Sequence, residues 1–165
     1  EFVILNANRT GEVIDGLRSE VNTNGLWVIP KDRMKAHREH RVPLGKRSLE
    51  LLQIAKSLDP NSDYLFSCKG RSLSSMAMSM LLRRMGYNIT VHGFRSCFRD
   101  WVAEETIHSP EVAEKALAHT IANKVESAYR RGDLIEHRKR LMGDWENYCQ
   151  TGLWGNVVAL ERKAA

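Results

Sequence analysis

The sequence predicts an α+β fold, mainly α-helical, with a small antiparallel β-hairpin near the N-terminus. Two short segments rich in β-branched and aromatic residues, LWVIP at 26–30 and HRVPL at 40–44, flank a strongly basic loop. From Ser48 onward, apolar residues recur at helical spacing in stretches separated by proline, asparagine, serine and glycine. A length of 165 residues, 42% hydrophobic and 27% charged, suits one sizeable core and is short for two domains.

The elements follow in order. RTGEVIDGL reads as a helix with Arg9 and Glu12 one turn apart, and the polar turn NTNG at 22–25 starts the hairpin. The two strands are joined by KDRMKAHRE, an exposed loop that carries Lys35. SLELLQIAKSL is helical, and a Pro/Asn/Ser break with the short YLFSC follows. SLSSMAMSMLLRRMG is a second helix ending at a C-cap glycine, with Met76, Met80 and Leu81 expected in the core. In HGFRSCFRDW, helical spacing puts His92, Arg95 and Arg99 on a shared surface, while Phe94, Phe98, Trp101 and Val102 form the core-facing stripe. Taken alone, such a basic triplet is equally a solvated face. Ser109-Pro110-Glu111 combines an N-cap serine, proline at the first position and an acid in the first turn, and opens a helix ending near His119. A final amphipathic helix runs from about Asp133 to Cys149 with Leu134, Leu141, Trp145 and Tyr148 on one side, leaving 150–165 as a tail.

Composition narrows the function. Lys plus Arg outnumber Asp plus Glu by 25 to 20, and a net charge of +5 fits a polyanionic partner. Cys68, Cys97 and Cys149 lie far apart without C-x-x-C or zinc spacing, so a reducing cytoplasm is the expected setting and neither a disulfide framework nor a metal site is indicated. No apolar run approaches the ~18 residues of a membrane span, and no secretory leader is legible. The abrupt apolar start suggests a fragment of a longer chain.

The residues able to do chemistry are Arg9, Lys35, the His92/Arg95 pair, His119 and Tyr129 in SAYRRGD. Glu104 and Glu105 are adjacent and point apart, so the carboxylate cluster of a two-metal nuclease is missing. Arginine forks, a lysine, histidines and a tyrosine suit metal-free attack on a phosphodiester. Arginines grip non-bridging oxygens, lysine protonates a departing alkoxide, and tyrosine forms a covalent phosphoester. Lys31 rivals Lys35 for the acid role, and Tyr148 and Tyr87 rival Tyr129.

In this order NRTGEV, RMKAHREHRVPL, HGFR, LAH and AYRRGDLIEHRKRLMGDWENYC resemble the motifs of phage-integrase-type tyrosine recombinases, across most of the chain and close to the prophage branch. His119 stands ten residues before Tyr129. The resemblance implies the tyrosine-recombinase catalytic fold: one C-terminal catalytic domain over 1–165, truncated at its N-terminus and lacking its separate DNA-binding domain. It implies that Arg9 and Arg95 clamp the scissile phosphate with Glu12 orienting Arg9, and that Lys35 protonates the 5′-oxygen. His92 then assists proton transfer, His119 donates to the phosphate, and Tyr129 forms a 3′-phosphotyrosine. Arg99, Arg130 and Arg131 fall outside the motifs and are expected to contact the DNA backbone. No cofactor is implied. The implied partners are double-stranded attachment sites, a tetramer in synapsis from a free monomer, and accessory bending or directionality proteins. Where family members usually carry an aromatic residue after the first arginine motif, this chain has Arg18 in GLRSEV. The alternatives are a type IB topoisomerase, which relaxes DNA without a partner site, and a catalytically silent DNA-binding module.

Overall fold

A computed structural model describes residues 1–119 and 132–152. Tyr129, Arg130 and Arg131, and the tail beyond Gly152, lie outside the described residues.

The chain opens with two short helices, α1 (Phe2–Leu5) and α2 (Thr10–Ile14). Arg9 is the residue that caps α2 and does not lie within it, so the expected helix over RTGEVIDGL is confined to its first half. The rest becomes a bridge between Leu17 and Tyr64 and a 3-10 turn at Arg18–Glu20. Arg18, at the position where an aromatic was expected, donates instead to the carbonyls of Pro60 at 3.0 Å and Asp59 at 2.7 Å.

Strands β1 (Leu26–Ile29) and β2 (His40–Pro43) form the expected antiparallel hairpin, with Trp27 opposite Val42 and Ile29 opposite His40. Its loop is less free than a solvated basic run. A 3-10 turn at Lys31–Arg33 leads to Met34, buried in the core. Arg33 donates to the Glu12 carbonyl at 2.6 Å and pairs with Glu20 at 3.0 Å. Two anchors beside Lys35 therefore fix the stem from which it projects.

Helix α3 (Lys46–Leu58) begins two residues earlier than the periodicity indicated and buries Ser48 against Asn6, whose amide donates to it at 3.0 Å. YLFSC contributes to a small hairpin the sequence did not announce, β3 (Ser67–Cys68) with β4 (Arg71–Ser72). Its tip residues Lys69 and Gly70 both have positive φ, the backbone of a type I′ turn. Asp59 accepts from the Ser67 hydroxyl and the Gly70 N–H, each at 2.8 Å.

Helix α4 (Ala77–Arg84) stops at Gly86, φ +82°, as the sequence suggested. The core placement of its residues is corrected: Met76, Met80 and Leu81 are 49%, 44% and 50% exposed. Met78 and Leu82 pack inward in their place, because one short helix can turn only one stripe to a core and this one carries methionine or leucine on both sides.

Helices α5 (Gly93–Glu105), α6 (Pro110–Ala116) and α7 (Ile135–Thr151) make the second half. Ser109 caps α6 with its backbone, without a side-chain hydrogen bond. Phe98, Trp101, Leu141 and Trp145 centre one buried cluster, with Tyr148 against it. Trp27, Ile29, Met34 and Val42 centre the other. Ile4 of α1 touches both clusters, and the first also holds Ala7, just after α1, and Leu117, just after α6.

Candidate functional site

Arg95 sits beside Ala7 and Leu117. Sequence spacing put it on one exposed face with His92 and Arg99, yet it is 5% exposed. The reason is angular: residues 95, 98 and 102 share a helical face, so Arg95 borders the apolar stripe and is closed over when α1 and α6 dock. Its guanidinium donates to the Ala7 carbonyl and to the Leu117 carbonyl, the latter at 2.7 Å, and its Nη2 lies 3.2 Å from His119 Nε2. Burial, with the nearby charge of Arg9, lowers its pKa to about 10, against the pull of Glu12 and Glu114, and it stays cationic at neutral pH.

Ala7 adopts a left-handed backbone, φ +49°, which turns its carbonyl toward the guanidinium. At the end of α6 the same device recurs. Ala118 has φ +50°, its N–H bonds to the Lys115 carbonyl at 3.2 Å, and the His119 N–H reaches the Glu114 carbonyl at 2.9 Å. This is a Schellman ending with alanine in the place glycine usually takes, and it throws His119 off the helix toward Arg95.

Arg9 faces the same space from the other side. Glu12 accepts from the Arg9 N–H at 2.9 Å, from its Nη1 at 2.7 Å and from Asn8 at 3.1 Å. Burial alone would raise the Glu12 pKa, but these bonds outweigh it and hold the carboxyl below its ordinary value. Glu12 thus holds both the backbone N–H and the guanidinium of Arg9.

A cleft of about 420 Å³ is lined by Arg9, Lys35, Ala36, Glu114, Ala118 and His119. Lys35 lines it and Lys31 does not. The exposed His92 stands at the N-terminus of α5, one turn before Arg95, and is not brought to this lining. Arg99, expected on DNA, has its Nε bonded to Glu114 at 2.8 Å with its side chain 63% exposed. Tyr148 packs against both Trp145 and Trp101, at ring separations of 5.8 and 5.4 Å, and Tyr87 lies exposed after α4. Neither rival tyrosine is placed for the cleft. No metal-holding cluster of His, Cys, Asp and Glu is found among the described residues.

Sequence reasoning passed over Glu114, His40 and Arg138. Glu114 carried no signal, because residues i and i+5 do not share a helical face and it meets His119 only through the left-handed bend at Ala118. His40 and Arg138 carried none either, because burial of a charge is not written in spacing. Arg138 is 1% exposed and donates to Asp133 at 2.6 Å and to the Arg41 carbonyl, tying α7 to β2. His40 lies beneath a second cleft of about 390 Å³ that also reaches His119. Burial, then the Arg138 charge, lower its pKa to about 4, opposed by Glu12 and by its bond to the Ala116 carbonyl.

That shift has a measurable sign. The unfolded chain takes up a proton at His40 near the ordinary histidine value of 6.5, and the folded chain only near 4, so stability is lost as pH falls through this window. The expected loss is about 3 kcal/mol, at 1.36 kcal/mol per unit. Urea unfolding at pH 7, 5 and 4 checks it: His40→Gln should flatten the dependence, and an unchanged slope would place the acid sensitivity elsewhere.

The chain matches the phage integrase family over residues 1–134. It is 31% identical over 161 residues to the prophage integrase IntA of Escherichia coli K12, covering 94% of this chain and 39% of that protein. It is 30% identical to the prophage integrase IntZ of the same strain, over 97% of this chain and 41% of IntZ. The integrase of Enterobacteria phage P4 is 29% identical over 74% of this chain and 33% of its own length. The chain thus spans about two fifths or less of these relatives. No solved structure matches it.

Proposed function

The chain belongs to the phage integrase family, and on that premise we propose that it carries the strand-transfer centre of a site-specific tyrosine recombinase. The observation that supports this best is the convergence of Arg9, Lys35 and His119 on one cleft with Arg95 directly behind His119. A phosphodiester there meets two guanidinium groups for its non-bridging oxygens and one ammonium for its 5′-oxygen. Tyr129 attacks phosphorus through its hydroxyl oxygen, the bond to the 5′-oxygen breaks, and Lys35 supplies the proton that oxygen takes. A 3′-phosphotyrosine results. A 5′-hydroxyl from another strand attacks that phosphorus in turn and returns the tyrosine, so the ester bond is conserved and no nucleotide is consumed. His92, which caps the N-terminus of α5, assists proton transfer when DNA is seated. Arg99, Arg130 and Arg131 face the backbone.

The whole protein's work follows from the same chemistry. Its substrates are double-stranded attachment sites in the bacterial cytoplasm, exchanged in a tetrameric synapse with accessory bending or directionality proteins. Among the described residues no helix is long and apolar enough to cross a membrane.

A nicked suicide duplex tests the proposal, because loss of the short 5′ fragment traps the covalent intermediate. The expected result is a protein–DNA adduct that survives denaturation and forms equally well in EDTA. Cleavage without an adduct, abolished by EDTA and restored by magnesium, would point to a metal nuclease instead.

A further inference from the structure

Glu114 has no part in the reaction just described, yet its two carboxylate oxygens hold two of the side chains at the site. Oε2 lies 2.6 Å from His119 Nδ1, and Oε1 accepts from Arg99 Nε at 2.8 Å. On the far side of the imidazole, Nε2 is 3.2 Å from Arg95 Nη2. Arginine carries only donors, so Nε2 must accept, and the ring proton of neutral His119 sits on Nδ1 facing the carboxylate. The backbone makes the same pairing from below, through the bond from the His119 N–H to the Glu114 carbonyl at 2.9 Å.

We propose that Glu114 is a positioning residue that fixes His119 as the Nδ1–H tautomer and aims Nε2 at Arg95 and the cleft. This rests on the strand-transfer reading for its catalytic consequence alone, since the tautomer belongs to the DNA-free protein. With Nδ1 committed, Nε2 is the one imidazole atom left to meet a phosphate oxygen. A doubly protonated ring held in this orientation would donate from Nε2 to a phosphate oxygen, with the carboxylate opposite offsetting its charge. Arg99 is the outer arm: it steadies the second carboxylate oxygen, and with its side chain 63% exposed it can swing to water at little cost.

Long-range proton–nitrogen spectra of the 15N-labelled chain read the tautomer directly. The unsubstituted protein is expected to show Nδ1–H at His119. Glu114→Gln keeps that state, because its one amide oxygen can serve Nδ1 while Arg99 turns away. Glu114→Leu is expected to release a large share of Nε2–H. On the nicked duplex, Glu114→Leu should lower the cleavage rate by about 10–100-fold with DNA affinity unchanged, and Glu114→Gln should recover most of that loss. Nε2–H in the unsubstituted spectrum overturns the proposal, as does Nδ1–H retained in Glu114→Leu. If Glu114→Leu fails to fold, the unsubstituted spectrum alone decides. The expected tautomer without any adduct from the unsubstituted chain would support the positioning and overturn strand transfer, so the two fail separately.

Discussion

Tyr129→Phe is expected to abolish the covalent adduct on a nicked duplex while leaving DNA affinity nearly unchanged. The substitution removes one oxygen and keeps the ring, so only the proposed nucleophile is lost. The loss should be complete, because the remaining tyrosines near the core are otherwise engaged: Tyr148 lies against Trp101 and Trp145. Peptide sequencing of the wild-type adduct gives the complementary check. DNA recovered on Tyr148 or Tyr87, or an adduct persisting in the phenylalanine variant, would move the nucleophile elsewhere.

Lys35→Ala should slow cleavage by ~10²–10⁴, the range expected when a general acid is removed. The decisive control changes the substrate. Sulfur in place of the bridging 5′-oxygen leaves as a stable thiolate and needs no proton, so Lys35→Ala should cleave the sulfur duplex at close to the wild-type rate. Arg95→Ala should gain no such rescue, because the role proposed for Arg95 is on the non-bridging oxygens, which the sulfur leaves in place. Lys31, outside the cleft lining, serves as the matched negative. A selective rescue in Lys31→Ala, with none in Lys35→Ala, would reassign the acid.

The β-hairpin was legible because its signals are local: alternating strand residues, a polar turn and fixed offsets. The α6 start was legible for the same reason, down to Ser109 and Pro110. Arg9 with Glu12 could be read from one turn of spacing, and the structure places them at 2.7 Å. The burial of Arg95 was not legible, since it depends on α1 and α6 meeting over α5, and one helix's periodicity cannot show what docks on it. The same limit explains the exposed α4 methionines. Glu114 illustrates a further gap: its value lies in a helix ending that bends at Ala118, a non-glycine residue in a left-handed conformation that local propensity would not place there.

The carbonyl grip on Arg95 joins residues 88 positions apart in the chain, Ala7 and the guanidinium it receives. During synthesis Arg9 leaves the ribosome long before the segment that carries Arg95, Glu114 and His119. A nascent chain therefore holds Arg9, one half of the proposed strand-transfer centre, before the half that carries Arg95 and His119 has been made. On the strand-transfer reading, that centre is complete only once the late helices have docked on the early ones, so a half-made chain has no means of cleaving DNA.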